Sequence, residues 1–190
     1  MLIGITGGIG SGKSTLSRFL RDNGYLVYDT DREARRLQDE DPLIIEETRN
    51  LFGDDIYVDG HLDRPRVASQ VFVFPDILAE LTAIVHPVVH NDILFWAARY
   101  PDNQLLFVES AVLFEGGFYK LMEKIILVTA DEEIRIQRVM KRDNVNREQV
   151  LARIKNQIPD SLKAQRSDLV IYTDQGLPDN VLESIQVWQH

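Results

Sequence analysis

The sequence predicts an α/β protein built on an open parallel sheet of five strands. Short β-branched apolar runs recur near residues 2–5, 24–31, 104–110, 124–130 and 168–173, and stretches with helical spacing separate them. A glycine-rich segment joins the first run to the first helical stretch. The chain has 190 residues, enough for one α/β domain with a sizeable core.

Leu2, Ile3 and Ile5 read as a buried strand. Beyond Lys13 the period changes: Leu16, Phe19 and Leu20 share one face of a helix that Gly24 can stop. Between them Gly7-Gly8-Ile9-Gly10-Ser11-Gly12-Lys13-Ser14 fits G-x-x-x-x-G-K-[ST], the P-loop. A polyphosphate needs many donors converging on a small volume, and backbone N–H groups supply them where no Cβ blocks the approach. The helix N-terminus adds its dipole and free N–H groups. Lys13 supplies charge at the outer phosphates, and Ser14 a hydroxyl for magnesium. A glycine-rich turn that merely links strand to helix is the competing reading, and the flanking elements weigh against it. ATP or GTP is the expected ligand.

"GYLVYDTD", residues 24–31, reads as a second strand ending in two carboxylates. Two apart on an extended strand, Asp29 and Asp31 would point the same way, with Asp31 further past the end. Capping of the next helix competes for both acids. Helical signals then dominate from Arg32 to about Arg99. Pro42 divides this stretch. Ile77, Leu78, Leu81, Ile84 and Val85 form a stripe between two prolines, "VVHNDILFWAAR" continues as a further helix, and "YVDGHLD" is a turn. The expected organisation is a core of about 1–31 and 100–190 interrupted by a helical insertion of about 32–99.

"QLLFVES" is the third strand. Its Glu109 reads as a Walker-B-like acid that contacts magnesium directly or through water; a plain strand-capping acid is the alternative. "KIILVTA" and "DLVIYT" are the fourth and fifth strands. Between them lie Arg135, Arg138, Arg142 and Arg147. They form either a solvated helix face with i,i+4 pairs or a lid, about 137–160, that meets charge on a moving phosphoryl group. His86, at the end of an apolar stripe before Pro87, reads more readily as a structural cap or partly buried core residue, and Lys163 is similarly ambiguous. The last helix, after Pro178, puts Val181, Leu182, Ile185 and Trp188 on one face. Ligands of open parallel sheets lie beyond the carboxyl ends of the strands, so the P-loop, Asp29, Asp31 and Glu109 should line one cleft.

A net charge of −9 argues against a broad polyanion-binding face, and hence against nucleic acid as partner. The absence of cysteine excludes disulfides, thiolate catalysis and zinc–sulfur sites. No run of about 18 apolar residues is present, so no membrane-spanning helix is expected, nor a signal peptide. These features fit a cytoplasmic protein; whether it is a monomer or a small homo-oligomer is left open by the sequence.

Several motifs, in this order, resemble the dephospho-coenzyme A kinase family over essentially the full chain. "TGGIGSGKS" has the family's form of the P-loop, and "YDTD" its acid-x-acid end of the second strand. Gly60, Leu62, Arg64 and Phe72 follow its G-x-[IL]-x-R…F segment, and His86 with Pro87 its L…HP segment. "ESAVLFEGG" resembles D-x-P-L-L-F-E, and Arg153, Ile154 and Gln157 its R-I-x-x-Q. The resemblance implies a three-layer α/β/α P-loop kinase fold with an acceptor-gripping insertion and a lid. It implies phosphorylation of the ribose 3′-hydroxyl of dephospho-coenzyme A, with ATP and Mg2+.

On this resemblance rest the site assignments. Gly8, Ile9, Gly10, Ser11, Gly12, Lys13, Ser14, Thr15, Arg138 and Arg142 are assigned to ATP. Asp31, Arg64, His86 and Glu109 are assigned to the acceptor. Ser14 is assigned to the metal, with Glu109 and Asp29 acting on it directly or through water. Asp31 is the expected base, with Lys13 and Arg142 as its catalytic companions. The chain departs from the family's pattern at Glu109, where Asp is usual, at Ala111, where Pro is usual, and in Val170–Gly176, which is one residue longer. Rival readings are another small-molecule P-loop kinase, for a nucleotide, a sugar acid or shikimate, and a nucleotide-switched binding module. The switch would carry an N-K-x-D motif, which is absent.

Overall fold

The computed structural model describes residues 1–189, with side chains throughout that range except at positions 72 and 75. In chain order the elements begin with β1 (Leu2–Thr6), α1 (Lys13–Asp22), β2 (Leu26–Asp29), α2 (Thr30–Glu40) and α3 (Pro42–Phe52). There follow β3 (Tyr57–Val58), β4 (His61–Leu62), α4 (Arg64–Val73), α5 (Pro75–Ala97) and β5 (Leu106–Glu109). The chain ends with β6 (Lys124–Thr129), α6 (Glu132–Asp143), α7 (Arg147–Lys155), α8 (Asp160–Ala164), β7 (Leu169–Tyr172) and α9 (Val181–Gln186). Two compact units result: Met1–Asp29 with the chain from Tyr100 onward, and Thr30–Arg99.

The first unit is a three-layer α/β/α fold. Its sheet has the order β2-β5-β1-β6-β7, with every pairing parallel. Parallel strands are covered on both faces, which is why they read as unbroken apolar runs: all four residues of β5 are buried, as are the middle four of β6. One face of the sheet, through Ile3, Ile5, Phe107, Ile126 and Val128, packs on Leu16 and Leu20 of α1 and Val181 and Ile185 of α9. Tyr25 meets Phe107 edge-on, with ring centroids 5.5 Å apart. A satellite core of Ile136, Val139 and Val150 joins α6 to α7. Asn144, in the left-handed region at φ 53°, turns the chain between them, and Asn146 and Gln149 close a capping box on α7.

Strand β2 ends at Asp29, and Thr30 already opens α2. Asp31 is therefore not on an extended strand beside Asp29, which corrects the sequence expectation. With no loop residue between strand and helix, Asp31 and Glu33 fall in the first turn of α2, where acids favourably oppose the positive end of the helix dipole.

The second unit is helical. Pro42 stands at the first position of α3, and the Asp41 side chain accepts from Ile44 N at 3.0 Å. The segment expected as a plain turn is an antiparallel hairpin: Tyr57 pairs with Leu62 and Val58 with His61. Asp59 (φ 51°) and Gly60 (φ 83°) form its two-residue tip, both in the left-handed region that a type I′ turn needs. Helix α5 runs unbroken through Pro87, so the two helices expected on either side of that proline are one. Its buried seam, Leu81, Val85, Val89 and Ile93, advances in steps of four and leaves Pro87 on an exposed face. The proline forfeits a hydrogen bond locally while the seam packs continuously on its neighbours.

By length and composition Asp76–Ala97, at mean hydropathy 1.2, is long and apolar enough to cross a membrane, although polar residues interrupt its apolar run. In the structure its seam packs on α2, α3 and α4, and Asp92 pairs with Arg36 of α2 at 3.3 Å.

Candidate active site

The glycine-rich loop runs from β1 into α1, and it is shaped by what lies behind it as much as by what lies in front. Gly10 (φ 78°) and Gly12 (φ 97°) sit in the left-handed region. A Cβ on Gly8 would lie 2.0 Å from Arg135 Nη2, and one on Gly10 would lie 2.5 Å from the Arg135 carbonyl oxygen. At Gly10 the obstacle is the backbone of α6, which requires the glycine; at Gly8 it is the guanidinium tip of Arg135, and neither approach is revealed by the spacing of the motif.

In front of the loop, Gly10 to Thr15 line a pocket of about 270 Å³ together with Arg18, Arg138, Val139 and Arg142. Lys13, Arg18, Arg138 and Arg142 give this pocket a concentration of positive charge in a chain whose net charge is −9. Lys13 Nζ donates to the Gly7 carbonyl at 2.9 Å, so the side chain folds back over the loop. Gly8 and Ile9, assigned to ATP with the rest of the loop, do not line the pocket. The Ile9 N–H donates to Gln157 Oε1 at 2.8 Å, and the Ile9 carbonyl accepts from Arg135 Nε at 3.0 Å.

Glu109 ends β5, only 8% exposed, and its Oε1 accepts from Ser14 Oγ at 2.9 Å. The register pairs it with Ile5 of β1 on one side and Asp29 of β2 on the other, so Asp29 and Glu109 stand at the carboxyl ends of adjacent strands. A hydroxyl and two carboxylates form an all-oxygen donor set. Magnesium favours such a set, usually completing its shell with waters and substrate phosphates. The residues present therefore fit this ion.

The arginines between β6 and β7 separate by role. Arg135 is buried and pairs with Asp160 at 2.9 Å, so it belongs to the framework. Arg138 donates to Thr173 Oγ1 at 3.0 Å, and Thr173 Oγ1 donates to the Ser11 carbonyl at 2.7 Å, which ties the turn after β7 to the P-loop. Arg142 pairs with Asp143 at 2.6 Å, and Arg153 reaches the same carboxylate at 2.7 Å. The Arg142 hydrogen bond, helped by Arg153, pulls the Asp143 carboxyl down to about 2.

Asp31, Arg64 and His86 belong to the second unit. Arg64 donates to the Arg35 carbonyl on α2 at 2.7 Å and pairs with Asp39 at 3.0 Å. His86 is half-buried on α5, and burial, with His90 as a like-charged neighbour, pushes its pKa below the ordinary histidine value. Arg18 was not anticipated. The available signal was its place four residues after Ser14, one turn further along the helix that opens at the loop.

The model of the dephospho-CoA kinase family matches residues 1–179 of the chain. The dephospho-CoA kinase of Bacteroides fragilis is 35% identical over 176 residues, covering 93% of this chain and 86% of the relative. A crystal structure of a Thermus thermophilus protein, 36% identical, superposes with a TM-score of 0.84 over 99% of this chain and 97% of the other. The dephospho-CoA kinase of Campylobacter jejuni superposes with a TM-score of 0.72 at 26% identity, over 99% and 95% of the two chains.

Proposed function

The chain belongs to the dephospho-coenzyme A kinase family, and on that premise we propose how its own residues carry out the family's reaction. The enzyme phosphorylates the ribose 3′-hydroxyl of dephospho-coenzyme A at the expense of ATP, the last step of coenzyme A synthesis. The observation that carries the division of labour is the pocket in which the P-loop, Arg138 and Arg142 converge beside the Ser14–Glu109 contact.

Gly10 to Thr15 hold the phosphates of ATP through backbone N–H groups and the start of α1. Lys13 turns from the Gly7 carbonyl to the outer phosphates, and Arg138 and Arg142 offset the charge of the phosphoryl group in transit. Ser14 and Glu109 would hold Mg2+, with Asp29 next to Glu109 taking one of its waters. That ion supplies charge neutralisation at the outer phosphates when bound. The unit from Thr30 to Arg99 grips the acceptor, with Arg64 and His86 among its contacts and Glu109 facing the incoming hydroxyl.

Asp31 orients that hydroxyl and takes its proton. Two residues after Asp29, its Cα is held within about 7 Å of the Asp29 Cα by chain length alone. Asp31 lies in the first turn of α2. The segment from about 137 to 160 acts as a lid through Arg138 and Arg142. The protein works in the cytoplasm on small molecules, without nucleic acid or membrane, as a monomer or small homo-oligomer.

The direct test incubates the purified protein with ATP, Mg2+ and dephospho-coenzyme A and follows the acceptor by mass spectrometry. A gain of one phosphate, located at the ribose, is the expected result. Consumption of ATP with no change in the acceptor would defeat the assignment.

A further inference from the structure

The crown of the P-loop is held from behind by groups that do not line the pocket. Ile9, between Gly8 and Gly10, has both of its peptide groups engaged by side chains from distant parts of the chain: Gln157 Oε1 at its N–H and Arg135 Nε at its carbonyl. Arg135 reaches on through Nη1 to Asp160 Oδ2 at 2.9 Å, and the same oxygen accepts from Thr129 Oγ1 of β6 at 2.7 Å. Next to Gln157, the Ile158 N–H donates to Glu115 Oε1 at 3.2 Å. Lys163, fully buried, places its Nζ 3.5 Å from that carboxylate oxygen. Residues 157–163 are thereby fastened to the P-loop, to β6 and to the loop that follows β5.

We infer that Gln157 and Arg135, the latter held by Asp160, are positioning residues that preset the crown of the P-loop for ATP. The inference rests on the reading of this pocket as the ATP site. A loop that must present several N–H groups to a polyphosphate binds more weakly when it has to be ordered on binding, and tethering Ile9 at both peptide groups removes that ordering. A buried ion pair is by itself weak evidence for stability, because desolvation offsets the attraction. The Arg135–Asp160 pair does something more specific here: it aims Nε at one carbonyl of the loop. The segment that follows α7 would therefore govern nucleotide affinity without touching the nucleotide, and it would leave acceptor binding unaffected.

The test uses Gln157→Ala, which removes the acceptor for the Ile9 N–H. Its companion is Arg135→Lys, which keeps a cation beside Asp160 while losing the bridge. For each folded variant, ATP affinity is measured by titration calorimetry with Mg2+ present, both substrate KM values by steady-state kinetics, and exchange of the Ile9 amide by NMR. Gln157→Ala is expected to weaken ATP binding about five- to tenfold, as loss of one hydrogen bond would, and to speed Ile9 amide exchange. The KM for dephospho-coenzyme A should stay within twofold. Arg135→Lys should weaken ATP binding by a comparable factor, again without moving the acceptor KM. Both variants binding ATP within twofold of wild type overturns the inference. So does an equal rise in the two KM values, or a lowered melting temperature with an unchanged ATP affinity, which is what a merely structural role would give. Failure of the wild-type protein to bind ATP would instead strike the reading of the pocket itself.

Discussion

Gly10→Ala separates two reasons for a glycine in this loop. If Gly10 is there only to let phosphates approach, the variant folds normally and loses ATP. The structure predicts otherwise. At φ 78° an alanine pays a left-handed penalty of about 1–2 kcal/mol. Its Cβ would stand 2.5 Å from the Arg135 carbonyl oxygen, 3.0 Å from Arg135 Cα and 3.0 Å from Val139 Cγ2. The first two are backbone atoms of α6, which cannot swing aside as a side-chain tip can, and overpacking of this kind costs about 1–3 kcal/mol. Together the terms give about 2–5 kcal/mol. For a chain of this size that is a fall in Tm of about 5–20 °C without nucleotide. Gly24→Ala is the control: its φ is 84°, but a Cβ there meets nothing within 4 Å, so only the backbone term of about 1–2 kcal/mol remains. The measurement is thermal unfolding by calorimetry and circular dichroism with no ATP present. A Gly10→Ala protein melting within about 2 °C of wild type would show that α6 does not require the glycine.

Three further outcomes are expected. In single-turnover phosphorylation, Asp31→Asn should lose about 10²–10⁴ in rate with ATP affinity retained; a rate within about threefold of wild type removes Asp31 as base, and failure of Asp29→Asn alone exchanges the two roles. Arg142→Ala should depress kcat while leaving the KM for dephospho-coenzyme A near wild type, and a variant with only a raised acceptor KM would place Arg142 outside the transfer step. For His86 the folded pKa lies below the unfolded value of about 6.5, because burial and His90 both disfavour the cation. As pH falls below about 6.5 the unfolded chain takes up the proton first, so this contribution is complete at higher pH and is lost as pH drops through the folded pKa. His86→Gln should flatten the fall in Tm between about pH 7 and 5, and an unaltered slope in the variant would exclude His86 as its source.

What could be read from the residues follows from how local each signal is. The strands of the central sheet were legible because a parallel strand covered on both faces leaves an unbroken apolar run, as "LFVE" and "IILV" do. The boundary after Asp29 was not, because α2 begins at the next residue with no glycine or proline to mark the change of period. Asp31 could therefore be read as the end of the strand or as a cap of the next helix. Pro87 misled for the opposite reason. A proline is a strong local signal, yet the packing of α5 is decided by Leu81, Val85, Val89 and Ile93, whose spacing passes it by.

The P-loop shows both limits within a few residues. Its identity is written in consecutive positions, but the partners of Ile9 lie 126 and 148 residues away, and no spacing rule connects them. The glycines mark a backbone that must be approached closely, and they do not say from which side. Gly12 opens α1 and lines the pocket, yet its φ of 97° and the Thr173 hydroxyl, 3.2 Å from where a Cβ would stand, constrain it as well. At Gly8 and Gly10 the approaching body is Arg135 and its helix. The same letters thus record a phosphate site and the packing that holds it in shape. The two can be told apart only by replacing each glycine and asking whether the fold or the nucleotide is lost first.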